Sequence, residues 1–339
     1  MTLVDLRDPS SFPTRRVEAW KYTDLRRFLR DTPPASGEAS VAPGGPFAAL
    51  GGGELAFVNG RSEGFPGIVA EGVVDAPVRL RFVSTEAGAG HQATVRIDVA
   101  SGGALTLLES HEGRAANYVS NVALNISVGA GAHLTRIVLT EDDAEAIALS
   151  RADVALGAGA TFDQTIVSTG AKLQRLETHV AHPGQGASVR MDGLYLLDGA
   201  RHADLTSVVT HQGKDGVTSQ LAKGVVRDTA RGVFQGKIVV ERGADGTDAR
   251  MGHHALILSE RGEVDAKPEL VIYADEVSCA HGNTVGTLDE SALFYMQQRG
   301  LPEDEARALL VQAFLIEVAD RIDHEGAREV VREWLTARL

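Results

Sequence analysis

The sequence predicts a mainly β protein: a parallel β-helix core flanked by α-helical segments at its N- and C-terminal ends. Three observations carry this. First, Gly-containing turns recur at Ser101-Gly-Gly103-Ala104, Gly129-Ala-Gly131-Ala132, Gly157-Ala-Gly159-Ala160 and Gly184-Gln-Gly186-Ala187, setting Gly103, Gly131, Gly159 and Gly186 apart by 28, 28 and 27 residues. A fixed period in this range marks a solenoid. Second, each period holds two runs of strand length, such as Leu134 to Thr140 and Ala146 to Leu156, so two strands and two corners make one coil. Third, glycine supplies 37 of 339 residues and aromatics few (10 Phe, 5 Tyr, 2 Trp), which suits tight corners and a narrow aliphatic interior. About seven coils at ~4.8 Å spacing give a prism roughly 35 Å long. A β-sandwich is the alternative, but its turns have no reason to keep a constant interval.

The elements follow in order. Residues 1–30 read as helix, with Val17, Trp20, Leu25, Phe28 and Leu29 forming a rough apolar stripe. Residues 33–53, rich in Pro, Gly and Ala, cannot sustain helix or ladder and read as a linker or surface loop where function is not expected. The segment 1–53 is therefore a helical segment and linker, 54–287 the β-helix core, and 288–339 a C-terminal helical domain. In the last, Asp289 is a plausible N-cap for a helix ending at Gly300. Pro302 opens a second helix with Glu303, Asp304 and Glu305 in its first turn, and Ala327 to Leu335 form a third. The end of a β-helix is a row of unpaired backbone groups, so helices at both termini make sense as caps, with a docking module the equal alternative for the C-terminal ones. Such caps weigh against a purely structural β-helix that polymerises end to end.

Charge and motifs exclude several functions. With 33 Lys+Arg against 46 Asp+Glu the net charge is −13, which disfavours nucleic acid or anionic membrane as a partner. The N-terminus lacks the pattern of a secretory leader and no run approaches a membrane span, so a cytoplasmic location is expected. Gly213-Lys214 is followed by Asp215 and Gly236-Lys237 by Ile238, so neither forms a Walker A motif.

His179 and His182, and likewise His253 and His254, are the closest histidine pairs, but in a strand residues one or three apart point to opposite faces. Asp245, Asp248, Asp265 and Asp275 could supply the carboxylate pair of a carbohydrate-active β-helix enzyme, although the chain has few aromatics for a sugar groove. Cys279-Ala280-His281 is different. Residues i and i+2 of extended backbone share a face, so a thiol and an imidazole address one volume, suited to iron, zinc or a sulfur species. Cys279 is the only cysteine, so further thiolate ligands would have to come from a partner chain. The bland alternative is a small buried Cys279 with His281 opening a turn at Gly282.

Several ordered stretches resemble the SufB/SufD family of the SUF iron-sulfur cluster assembly system. They are Arg15-Arg-Val-Glu-Ala-Trp-Lys-Tyr-Thr-Asp-Leu25, Lys223 through Ile238, Glu263 through Leu270, Ala274-Asp-Glu-Val-Ser-Cys279-Ala-His281-Gly-Asn-Thr-Val-Gly286, and Leu293 through Gly300. The SufD branch is the nearer, because SufB usually carries an acidic residue where Gly282 stands. The resemblance implies a right-handed parallel β-helix in a non-enzymatic scaffold subunit. It also implies pairing with SufB through the β-helix, and docking of the SufC ATPase on the C-terminal helices around Leu293, Phe294, Tyr295, Arg299, Gly300 and Phe314. His281, with Cys279, would lie at the SufB-facing surface as a candidate iron or cluster ligand completed by the partner. No cofactor is expected to be bound tightly by the isolated chain, iron or an iron-sulfur cluster being a transient occupant of the complex, and a homodimer is open to the isolated subunit. Met251, His253 and Ala255 stand where relatives often carry alternating amides, so an amide ladder between coils is expected to be weakened or replaced.

Overall fold

The computed structural model describes residues 4–64 and 67–339. From Gly53 to Gly286 the chain alternates strand by strand between two parallel sheets. One has nine strands, from Gly53–Val58 to Ser278–Gly286; the other has eight, from Gly67–Ala70 to Glu263–Ile272. This is a β-solenoid of about eight coils, one more than the repeat count gives. Register partners keep the period: His133 pairs with Ala104, Thr161 with His133, and Ser188 with Thr161.

The corners explain the glycine. At Gly129–Ala132 the Ala132 N–H donates to the Gly129 carbonyl (3.1 Å) and Gly131 has φ 63°, the third position of a type II turn, which glycine adopts without strain. Gly157–Ala160 repeats this geometry with Gly159 at φ 64°. Ala132 and Ala160 are buried beside them. At the first corner the positive φ falls on Gly102 rather than Gly103.

Inside, alternation turns Leu105, Leu107, Leu134, Phe162, Val189 and their neighbours toward the facing sheet. The last coils bury Tyr195, Ala222, Phe234, Ala249 and Met251. In the register column Arg136, Gln164, Met191, Gln220, Met251 and His281, methionines separate the amides Gln164 and Gln220, so no continuous amide ladder runs through it.

The N-terminal helix is a correction. Residues 4–30 make two short 3-10 turns, Pro9–Ser11 and Glu18–Trp20, and one four-residue helix, α1 (Leu25–Phe28). Trp20, Leu25 and Leu29 are buried against Val119, Ile147, Leu149 and Leu173 on the outer face of the eight-stranded sheet, while Val17 and Phe28 are exposed. Tertiary partners replace helical hydrogen bonds: Gln235 Nε2 donates to the Ala19 carbonyl (3.4 Å), and Thr23 donates to Asp204. Residues 33–53 are also docked rather than loose, with Phe47 buried and the Ala42 carbonyl accepting from Arg81 (3.0 Å).

The C-terminal helices are α2 (Glu290–Gln298), α3 (Glu303–Ala319) and α4 (Glu325–Thr336). Asp289 caps α2 through the N–H groups of Ser291 and Ala292, and Glu303, Asp304 and Glu305 open α3 after Pro302. Val311, Leu315, Val318, Val331 and Leu335 bury against Leu139, Val167, Leu194 and Val225 on the outer face of the nine-stranded sheet. Arg321 Nε donates to Asp192 (2.8 Å) and Trp334 Nε1 to Glu141 (3.1 Å).

These helices flank the solenoid instead of crossing its end, which corrects the capping expectation and removes the objection it raised to end-to-end association. At the N-terminal end the strands are short and Phe57, Ile68 and Ala70 are buried. At the C-terminal end the strands Glu263–Ile272 and Ser278–Gly286 each pair on one side only.

Candidate functional site

The open C-terminal coil holds the candidate site. Strand Ser278–Gly286 pairs Cys279 with Ala249, His281 with Met251, and Asn283 with His253. Ala249, Met251 and His253 are buried core residues, so Cys279, His281 and Asn283 face the solenoid axis with no coil above them among the described residues. Their Cα atoms step along the strand at roughly 7 Å intervals. Cys279 is half-buried and its thiol is pushed up by burial, with the Asp248 carboxylate adding to the effect. His281 and Asn283 are exposed. A Cβ added at Gly282 would meet nothing within 4 Å, so the reverse face of this strand is open as well. Ile272, Tyr273 and Val285 expose 40%, 60% and 44% of their surface at the same end.

Beneath the end face lies a polar group that the sequence does not announce. His253 is fully buried, its ring parallel to Phe234 with centroids 4.7 Å apart. Its Nδ1 is 2.7 Å from Asn283 Oδ1 and its Nε2 is 3.0 Å from the Tyr195 hydroxyl. Burial holds this imidazole at a pKa of about 4, so it is neutral. Among the described residues no three His, Cys, Asp or Glu side chains converge to hold a metal ion. Any metal held at this end would need donors from outside the chain.

The other sequence candidates separate as alternation requires. His179 is on an outer face beside Glu177 (2.5 Å), whereas His182 is interior and stacks on His211 at 4.2 Å. His254 faces outward to Thr284 (2.7 Å). Asp248 and Asp265 lie in different sheets, paired with Arg250 (3.3 Å) and Arg231 (2.6 Å). They make no facing carboxylate pair.

On α2, Phe294 and Tyr295 are 62% and 59% exposed, and Arg299 stacks on Tyr295 at 5.1 Å. Leu293 turns inward and is buried, Gly300 ends the helix with φ 91°, and half-buried Phe314 packs under Lys223 Nζ at 4.5 Å. The exposed patch is thus Phe294, Tyr295 and Arg299; Leu293 and Phe314 hold the helices in place.

The Tyr195-His253-Asn283 chain is what sequence reasoning missed. His253 stood out as half of a histidine pair and as a departure in the expected amide pattern, and Asn283 only as part of the Cys279 motif. The signal linking them is a register of 30 residues between adjacent coils.

The family description "SUF system FeS cluster assembly, SufBD core domain" matches residues 82–314, which span most of the solenoid and reach into α3. An iron-sulfur cluster assembly SufBD family protein of Synechocystis is 31% identical over 221 residues, 65% of this chain and 49% of that protein. This chain therefore spans about half the length of that relative. The iron-sulfur cluster assembly protein SufD of Escherichia coli is 27% identical across 97% of this chain and 90% of its own. SufD of Bacillus subtilis is 34% identical over 131 residues, 39% of this chain and 30% of its own. A solenoid that carries the family's core over more than half its length, and aligns with a SufD nearly end to end, belongs to the SufBD family of the SUF iron-sulfur cluster assembly system as a SufD-like member.

Proposed function

We propose that this chain is a non-enzymatic scaffold subunit of a SUF assembly complex, and that its open coil is the surface on which a SufB-type solenoid joins it. The observation that carries this is the pair of half-paired strands, Glu263–Ile272 and Ser278–Gly286, with Cys279 and His281 on the inward face of the second. Strand addition satisfies the unpaired backbone groups and buries Ile272, Tyr273 and Val285. The same event closes a volume over Cys279 and His281 into which the partner's ligands project, so iron and nascent cluster are cargo of the assembled interface. A second copy of this chain can occupy the same edge when the partner is absent.

The exposed Phe294, Tyr295 and Arg299 patch on α2 docks the SufC-type ATPase. Closure of two ATPase subunits then strains the paired coils and opens the site around His281. The test is co-purification with the other subunits followed by anaerobic reconstitution with ferrous iron and sulfide. His281→Ala should leave the complex assembled and lower its cluster yield severalfold; an unchanged yield removes His281 from the site.

A further inference from the structure

The chain of hydrogen bonds beneath the end face has a direction. Asn283 Oδ1 can only accept, so His253 Nδ1 carries the proton and donates to it at 2.7 Å. His253 Nε2 is then an acceptor, and the Tyr195 hydroxyl donates to it at 3.0 Å. The Tyr195 ring lies close over two glycines, since a Cβ on Gly224 would come within 1.8 Å of it and one on Gly232 within 2.4 Å. Phe234, parallel to the imidazole at 4.7 Å, fixes the other ring. The order Tyr195 O–H to His253, then His253 N–H to Asn283, leaves the Asn283 amide NH2 as the terminus. It stands at the open end, on the inward face shared with Cys279 and His281.

We propose that Asn283 is a third functional member of the end face, donating from its side-chain amide to a sulfur of the iron-sulfur species held at Cys279 and His281, with His253 and Tyr195 as its positioning residues. This rests on the function proposed above. The chemistry is that of hydrogen bonds to cluster sulfur, which stabilise the charge on sulfide and thiolate and tune retention and potential. An amide held from below by a buried imidazole presents its donors at no further cost in ordering when the cargo arrives.

Asn283→Asp tests the proposal cleanly. One carboxylate oxygen still accepts from His253, so the relay and the strand stay in place while the donor becomes an anion. In the assembled complex loaded anaerobically with ferrous iron and sulfide, the variant should assemble as wild type yet retain roughly 10-fold less acid-labile sulfide against a chelator, a readout that iron held by the new carboxylate alone does not mimic. Tyr195→Phe should keep the amide but loosen its orientation, giving a smaller loss together with a changed nitrogen-15 spectrum of His253.

Retention by Asn283→Asp equal to wild type overturns the proposal. So does a His253 found in the Nε2–H form in the unloaded chain, since the relay would then run the other way. Loss of assembly rather than of sulfide would assign the amide to the partner chain and also defeats it. A wild-type complex that takes up no iron, or one whose retention ignores His281→Ala, defeats the underlying functional reading instead.

Discussion

At the scale of single residues, small side chains decide what the end of the solenoid can hold. Gly224 gives Tyr195 its place: a methyl there would sit 1.8 Å from Cζ, closer than any packing tolerates. Gly224→Ala should therefore lower stability by about 1–3 kcal/mol, read as a reduced urea midpoint. Tyr195→Phe should not rescue it, because Cζ remains, whereas Tyr195→Leu should recover part of the loss. Which side chains share a face was legible from alternation, and Cys279 and His281 lie on one face accordingly. Which residue sits above which was not. Corners vary by a residue or two from coil to coil, so the pairing of His253 with Asn283, on which the relay depends, cannot be counted out along a single sequence.

Among the elements, the N-terminal segment shows how an apolar stripe can mislead. Trp20, Leu25 and Leu29 bury together, as a helix would have them do, but a ready-made sheet face offers more partners than one helical turn does. Below them Arg175 is buried between Glu177 (3.0 Å) and Asp204 (2.6 Å), and Trp20 covers its guanidinium at 4.5 Å. Removing that lid hydrates a buried ion pair. Trp20→Ala should cost about 3 kcal/mol, with amide exchange rising over residues 17–29 and little change in the central coils; uniform loss of protection would show that the segment folds with the core. The C-terminal helices were legible by contrast, because Asp289, Pro302 and the acidic first turn of α3 are local signals. Their berth on the flank of the solenoid was not, since it depends on Leu139, Val167, Leu194 and Val225 forming one outer surface.

For the whole molecule, the interior sets the response to acid. His182, His202, His211 and His253 are all buried and all held below the usual histidine value of 6.5 by burial, His211 to about 3 and His253 to about 4. The unfolded chain takes up these protons first, so the stability they allow is complete above about pH 6.5 and is lost as pH falls toward the folded values. His211 and His253 each contribute about 1.4 kcal/mol per pH unit between pH 6.5 and their folded values.

Asp192 opposes them: burial raises its pKa to about 6 despite Arg321, so it relieves the fold as pH drops below 6. His133, raised by its hydrogen bond to Asp163, opposes them too, while His91, held by burial at about 4, joins the four. Glu109, whose burial is outweighed by Arg136 and His111, is held at about 2 and adds to the loss below about pH 4.5. The urea midpoint should be flat from pH 7 to 8 and fall steeply between 6.5 and 4.5; a midpoint at pH 5 equal to that at pH 7.5 would mean the buried imidazoles are already charged.

The half-paired strand Ser278–Gly286 also acts as a ruler. A strand laid against it inherits a two-residue beat, and a slip of one residue turns every inward side chain of the newcomer outward. Backbone register, set by peptide hydrogen bonds far less particular than any metal, thus decides beforehand which foreign side chains can come to stand over Cys279, His281 and Asn283. Under the pairing proposed above, selectivity for a partner is in this sense a matter of phase: the right chain is the one whose ligands fall on the beat.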